Sequence, residues 1–276
     1  MPYSAELKRT SPSCILFLID QSRSMAEAIG GQAGQSKADG VAEGINRLLQ
    51  NLVFKCAKSD GVRDYFHVGV IGYGDKVAWS LGGKLAGQRL VPVSVLANNP
   101  LRVEERTRKV GTSTTPQKYK FPVWFETVAN GKTPMCAALA LATKALAEFV
   151  RRFSDTFPPI VINISDGKAT DGNPEAPATQ LRKLSTTDGN VLLFNAHLSS
   201  SAAKPIEFPG AEDELPDLDA CTLFRMSSPL PDKFRQAAGA DGFRVQPTSR
   251  GFVFNADLVS VVRFLDVGTR VAHTVR

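Results

Sequence analysis

Three short segments of this 276-residue sequence gather the side chains best suited to chemistry. Asp20, Ser22 and Ser24 stand at alternate positions in DQSRSM (20–25), Thr133 lies in NGKTPM (130–135), and Asp166 lies in ISDGKATDG (164–172). Together they offer carboxylates and hydroxyls only. A hard divalent cation such as Mg²⁺ takes about six oxygens at roughly 2.0–2.1 Å and keeps some of its waters. The two aspartates would balance its charge, while the neutral hydroxyls would fill positions without quenching it further. Such an ion stays electrophilic and can accept one more oxygen, ideally a carboxylate from a partner. The chemistry predicted is binding, with no nucleophile or base required.

Taken singly, each segment has a plainer reading. A Ser/Asp-rich turn after a strand is usually a helix cap or an Asx-turn. It is the joint occurrence that points to a metal. Other motifs fail. Gly131-Lys132-Thr133 mimics the end of a phosphate-binding loop, but Glu126 stands where that loop needs its first glycine. His67, His197 and His273 are scattered, and no G-x-S-x-G elbow exists to pair with one. Asp20 as a phosphoryl acceptor would want a second carboxylate where Ser22 stands. Cys136, near the proposed site, reads as buried, inert packing at a helix start.

The elements that must position these residues follow from hydrophobic patterning. Cys14–Ile19 is continuously apolar and ends at Asp20, as befits a central parallel strand covered on both faces. After a Gly-rich link (Gly30, Gly31, Gly34), residues 37–57 carry Val41, Ile45, Leu48, Leu49, Leu52 and Val53 at the spacings of an amphipathic helix. Phe66–Tyr73 reads as a second strand, and Val77–Leu81 as a short one after a turn. A helix is expected over Pro134–Phe153, with proline in its first turn. Pro159–Ser165 and Asn190–His197 read as third and fourth buried strands, with a helix near 174–187 between them.

Residues 202–232 read as an irregular loop, Phe234–Ala238 as a short helix and Arg250–Asn255 as a strand. Asp257 would cap a last helix carrying Leu258, Val261, Val262 and Leu265. The region 82–130 shows no clear period and contains Pro92, Pro100, Pro116 and Pro122. So long an irregular stretch is often functional or an insertion. Phe121, Trp124 and Phe125 are expected to anchor it beside the proposed metal edge, where it would tune partner choice.

Strands alternating with helices make this an α/β protein with a mainly parallel sheet. In open parallel sheets, ligand sites form beyond the carboxyl ends of strands where the strand order reverses. Asp20, Ser22, Ser24 and Asp166 follow such ends, and the loop carrying Thr133 can reach the same edge.

Composition bounds the remaining classes. The 33 Lys+Arg against 27 Asp+Glu give a net charge of +6, and 43% of residues are hydrophobic. This excludes a disordered or coiled-coil chain. Much of the excess is local, from Arg102, Arg106, Arg108, Lys109, Lys118 and Lys120. No stacking pattern accompanies it, so a solvated surface is favoured over nucleic acid. Cys14, Cys56, Cys136 and Cys221 lie far apart without a C-x-x-C pair, which fits reduced thiols in the cytoplasm. The longest apolar run, Met135–Ala142, is too short to cross a bilayer. Asp20 and Arg23, soon after the first apolar run, disfavour a secretory leader there.

The three segments together resemble the von Willebrand factor type A (vWA) family and its metal-ion-dependent adhesion site (MIDAS), with the likeness extending over about residues 12–270. The resemblance implies a Rossmann-like fold, here a single domain over 1–276 with a mostly parallel six-stranded sheet and an elaborated insertion at about 82–130. It implies that Ser22, Ser24 and Thr133 contact Mg²⁺, with Mn²⁺ or Ca²⁺ as alternatives, and that Asp20 and Asp166 bind it directly or through water. A non-enzymatic module gripping an Asp or Glu of a partner protein follows, with no membrane or nucleic-acid role. Similar stand-alone bacterial proteins operate beside protein kinases, phosphatases or AAA+ ATPases, so a signalling adaptor is the first expectation. A subunit of an AAA+ or chelatase-type machine is the second, and a metal-dependent phosphatase a remote third.

Overall fold

The structure, a computed structural model, describes residues 2–28, 34–108, 116–199 and 204–256. The chain enters a long buried strand, β1 (Ser13–Asp20), and returns through helix α1 (Lys37–Cys56) and a tight hairpin, β2 (Ala57–Lys58) and β3 (Gly61–Val62). Strand β4 (Phe66–Tyr73) follows, then β5 (Val77–Trp79), β6 (Val91–Pro92) and helix α2 (Val93–Asn98). A longer hairpin, β7 (Arg102–Arg108) and β8 (Gln117–Val123), leads to α3 (Met135–Arg152) and β9 (Ile160–Ser165). After α4 (Glu175–Lys183) come a second tight hairpin, β10 (Ser185–Thr186) and β11 (Gly189–Asn190), and then β12 (Leu192–Leu198). Among the described residues the remaining strands and α-helices are β13 (Ile206–Glu207), α5 (Leu218–Met226), α6 (Asp232–Ala240) and β14 (Phe252–Ala256).

The main sheet runs β13-β14-β12-β9-β1-β4-β5, with β6 also on β4. Strands β14, β12, β9, β1 and β4 are mutually parallel. The short β5, β6 and β13 pair antiparallel at the margins. The Rossmann-like α/β architecture is thus as expected, but among the described residues the sheet has eight strands where six were expected. The excess comes from two-residue strands such as β6 and β13, too short to show a period of two.

Strand alternation explains the two-layered core. On β1, Ile15, Phe17 and Ile19 face one layer with α1 residues Val41, Ile45 and Leu49, Leu96 of α2 and Phe234 of α6. Cys14, Leu16 and Leu18 face the other with Met135, Leu139 and Leu146 of α3, Leu181 of α4 and Leu223 of α5. A strand buried on both faces must be apolar at consecutive positions, and this produces the unbroken run in β1. Two expected loops contain structure. Within 202–232, Asp217 caps α5 by accepting from the Ala220 amide at 2.7 Å, and Ala220, Leu223, Phe224 and Met226 are buried. Within 82–130 lie α2, β6 and the β7–β8 hairpin. The helix expected to 187 stops at Lys183, before the β10–β11 hairpin. Gly30, Gly31, Lys109, Asp257 with the helix expected after it, and His273 lie outside the described residues.

Candidate metal centre

From β1 the chain passes to β4 on one side of the sheet, and it later returns to β9 on the other. The carboxyl ends of β1 and β9 are therefore adjacent at a reversal of strand order, where crevices form. Asp20 ends β1, and Ser165 ends β9 beside it. Ser22 stands at the start of a 3-10 helix, Arg23–Ala26, and Ser24 lies within it.

Four of the five expected residues form one hydrogen-bonded chain. The Ser22 amide donates to Asp20 Oδ1 at 2.9 Å, and the Ser22 and Ser24 hydroxyls share a bond of 3.1 Å. Ser24 Oγ then donates to Asp166 Oδ1 at 2.9 Å. The other Asp20 oxygen accepts from Ser165 Oγ at 2.7 Å. Asp20 is wholly buried, and burial is the main force pushing its pKa up to about 6 against the hydrogen bonds that favour the charged form; Asp166 adds a smaller push in the same direction.

Thr133 joins through its backbone. Its amide donates to Thr170 Oγ1 at 3.1 Å, and its carbonyl accepts from the Thr170 amide at 2.9 Å. This ties its loop to the one after β9. On the other flank, the Asn130 amide donates to the Gln21 carbonyl at 2.6 Å, and the Arg23 amide to the Gly131 carbonyl at 3.3 Å. Gly131 has φ +88°, and a Cβ there would meet the Asp75 amide nitrogen at 2.2 Å, so only glycine permits this approach. Thr133 itself is buried.

Several supporting residues escaped the sequence reading. Asp171 accepts from the Cys136 and Ala137 amides at 3.0 and 2.9 Å, capping α3 from outside because Pro134 offers no side-chain oxygen. Beneath the site, Tyr73 donates to Asn163 at 2.7 Å, Asn163 to Asn195 at 2.9 Å, and Asn195 to Ser227 at 2.9 Å. This buried polar chain spans β4, β9, β12 and Ser227, the residue that follows α5. The asparagines inside PIVINIS and NVLLFNAH were its only sequence signal. Lys37, the first residue of α1, reaches Asp166 Oδ2 at 2.9 Å and Glu27 at 3.0 Å.

An oxygen-only set of this kind suits a hard cation. Among the described residues no three His, Cys, Asp or Glu side chains are placed to hold a metal ion together, so an ion here would depend on hydroxyls and water as well as carboxylates. The two described histidines take no part: His67 packs on Phe149 and Phe153, and His197 stacks on Phe254. Cys136 is half-buried, not fully buried as expected, and burial leads in raising its thiol to about 11. All four cysteines are free thiols. Two cavities of about 500 Å³ flank the edge, one beside Gly167, Met135 and Leu218, the other beside Arg23, Lys132 and Thr170.

No protein-family model matches the sequence, and no curated protein matches it. Among solved structures, the chain is similar to a von Willebrand factor type A protein from Catenulispora acidiphila, at 14% identity and a TM-score of 0.49. That match covers 95% of this chain but 42% of the other, so this chain spans less than half the relative's length. A similar structure is the conserved hypothetical protein BatB from Bacteroides thetaiotaomicron, at 14% identity and TM-score 0.46, with 94% of this chain and 99% of that one covered. Another is the manganese-loaded TRAP protein of Plasmodium vivax, at 16% identity and TM-score 0.38, covering 71% and 61%. At these distances none of them assigns a function to this chain.

Proposed function

We propose that this chain is a metal-dependent protein-binding module whose ion sits among Asp20, Ser22, Ser24, Thr133 and Asp166. The supporting observation is the continuous chain of hydrogen bonds from Asp20 through both serines to Asp166, at the reversal of strand order and with the Thr133 loop tied on both flanks. Mg²⁺ is the ion the donor set suits best, with Mn²⁺ or Ca²⁺ able to replace it. The ion would supply an electrophilic position for a carboxylate. The protein's own part is to hold the oxygens in place beforehand and to keep the aspartates out of bulk water. Exposed Arg23, Lys132 and Lys168 around the edge favour an acidic partner segment.

The role is binding without catalysis, in the cytoplasm. Among the described residues no helix is long and apolar enough to cross a membrane. The segment 82–130 would shape partner choice, since its hairpin rests on α1 and its last residues reach the edge through Asn130 and Gly131. The partner classes expected from the resemblance, namely protein kinases, phosphatases and AAA+ ATPases, can be sorted by co-purification with and without EDTA.

Calorimetric titration with Mg²⁺ and Mn²⁺ tests the site. Asp20→Ala should lose about a hundredfold in ion affinity with its circular dichroism unchanged. Unaltered affinity in that variant would remove the site assignment and the function with it.

A further inference from the structure

Lys37 is an unexpected residue at the position it occupies. It opens α1, where the helix dipole disfavours a cation, and its side chain is 4% exposed. Burying an ammonium group is costly unless it is paired. Its partners are Asp166 at 2.9 Å, also buried, and the exposed carboxylate of Glu27 at 3.0 Å. Ser36 and Asp39 form a reciprocal capping box around it, fixing the start of the helix and so the origin of this side chain.

Its position alters the charge balance of the site. Asp20 and Asp166 carry two negative charges, which a divalent ion alone would neutralise. Lys37 already offsets one of them, because its buried partner is Asp166 whereas the Glu27 carboxylate is 59% exposed and its charge is screened by water. A divalent ion then leaves the centre with one positive charge in surroundings shielded from water, and an incoming carboxylate restores neutrality.

Building on the metal reading above, we propose that Lys37 is an internal cation that weakens the site's hold on a lone divalent ion and makes ion and carboxylate ligand bind cooperatively. Without either, Lys37 keeps Asp166 paired and the edge folded. With both, the charges balance. The residue acts by positioning and by charge, and its effect on the two ligands should be opposite in sign.

Mn²⁺ is the probe, followed by the electron paramagnetic resonance of the free ion, with and without acetate as the carboxylate. Lys37→Met should bind Mn²⁺ about tenfold more tightly than wild type without acetate, whereas Lys37→Arg should match wild type. Acetate should tighten Mn²⁺ binding in wild type and Lys37→Arg but not in Lys37→Met. Thermal melts in EDTA should show Lys37→Met less stable and Mn²⁺ restoring it, with Lys37→Arg as the folding control. Equal Mn²⁺ affinity in wild type and Lys37→Met, lost from both on adding Asp20→Asn, would overturn the role of Lys37 while sparing the metal site. The absence of Mn²⁺ binding in every variant would instead overturn the metal reading itself.

Discussion

The carboxyl edge of the sheet and the 82–130 segment both carry charged contacts, but in opposite environments. At the edge, Asp20, Ser22 and Lys37 are almost wholly buried, and each carboxylate oxygen of Asp20 and Asp166 already accepts a hydrogen bond. In the β7–β8 hairpin the ions remain partly in water: Arg106 bridges Glu43 and Glu104 at 2.7 and 2.8 Å with side chains 18–30% exposed. The hairpin's attachment lies beneath these ions. Phe121, Trp124 and Phe125 are each at most 3% exposed, and Asn46 of α1 accepts from the Trp124 and Phe125 amides at 2.8 and 3.1 Å. Buried charge arranges a site at a cost in stability, whereas buried aromatic area holds a segment in place and leaves surface ions a minor role.

This contrast predicts that variants of the two regions will separate folding from ion binding. The largest effect on folding should come from Trp124→Ala. The indole is 2% exposed and donates to the Leu96 carbonyl at 2.7 Å, so its removal should cost about 3–5 kcal/mol in urea unfolding. The folded protein should still bind Mn²⁺ as wild type does. A comparable loss of ion affinity would show that the segment supports the edge directly.

Next comes the burial cost of Asp20 in metal-free protein. Its folded pKa is raised to about 6, so the folded state binds the proton more tightly than the unfolded chain. This contribution favours folding below the unfolded pKa near 4 and is lost as pH rises through 6. Measured in EDTA, the stability of Asp20→Asn relative to wild type should rise by up to about 3 kcal/mol between pH 4 and pH 7. A difference independent of pH would show that Asp20 is not strained by burial.

Thr133→Ala should weaken Mn²⁺ binding about tenfold, roughly 1.4 kcal/mol, while shifting the melting temperature little, because its loop is held by backbone bonds. A large fall in melting temperature would show that the hydroxyl is structural. The smallest effect should be Arg106→Ala. It removes a guanidinium 3.6 Å from the Phe121 ring centroid and two partly exposed ion pairs, and should cost about 1 kcal/mol or less. A loss of several kcal/mol would make the surface ions, and not the aromatics, the hairpin's attachment.

The edge was more legible in the sequence than the insertion. Asp20, Ser22 and Ser24 lie within five residues after an apolar run, a spacing that local reading picks out but that points to a metal only jointly with the Thr133 and Asp166 segments. Phe66–Tyr73 coincides with β4, and the expected helices over 37–57 and Pro134–Phe153 differ from α1 and α3 only at their ends. The hairpin stayed hidden because β7 is mostly exposed and charged on both faces, while the alternation of Tyr119, Phe121 and Val123 in β8 is short and interrupted by Pro122. Helix α5 was masked by the proline- and acid-rich residues before it.

The sequence by itself determined the order of buried strands and the oxygen-bearing residues that follow them, because a strand covered on both faces must be continuously apolar and its end must turn polar. Only the tertiary structure decided what surrounds those oxygens. Lys37 lies 129 residues from Asp166, Ser165 lies 145 from Asp20, and the amides of Cys136 and Ala137 lie 35 and 34 from Asp171. No local pattern encodes such pairs. They arise because β1 and β9 become neighbours through their side-by-side packing in the sheet, which brings the start of α1 and the loops before α3 and after β9 onto one edge.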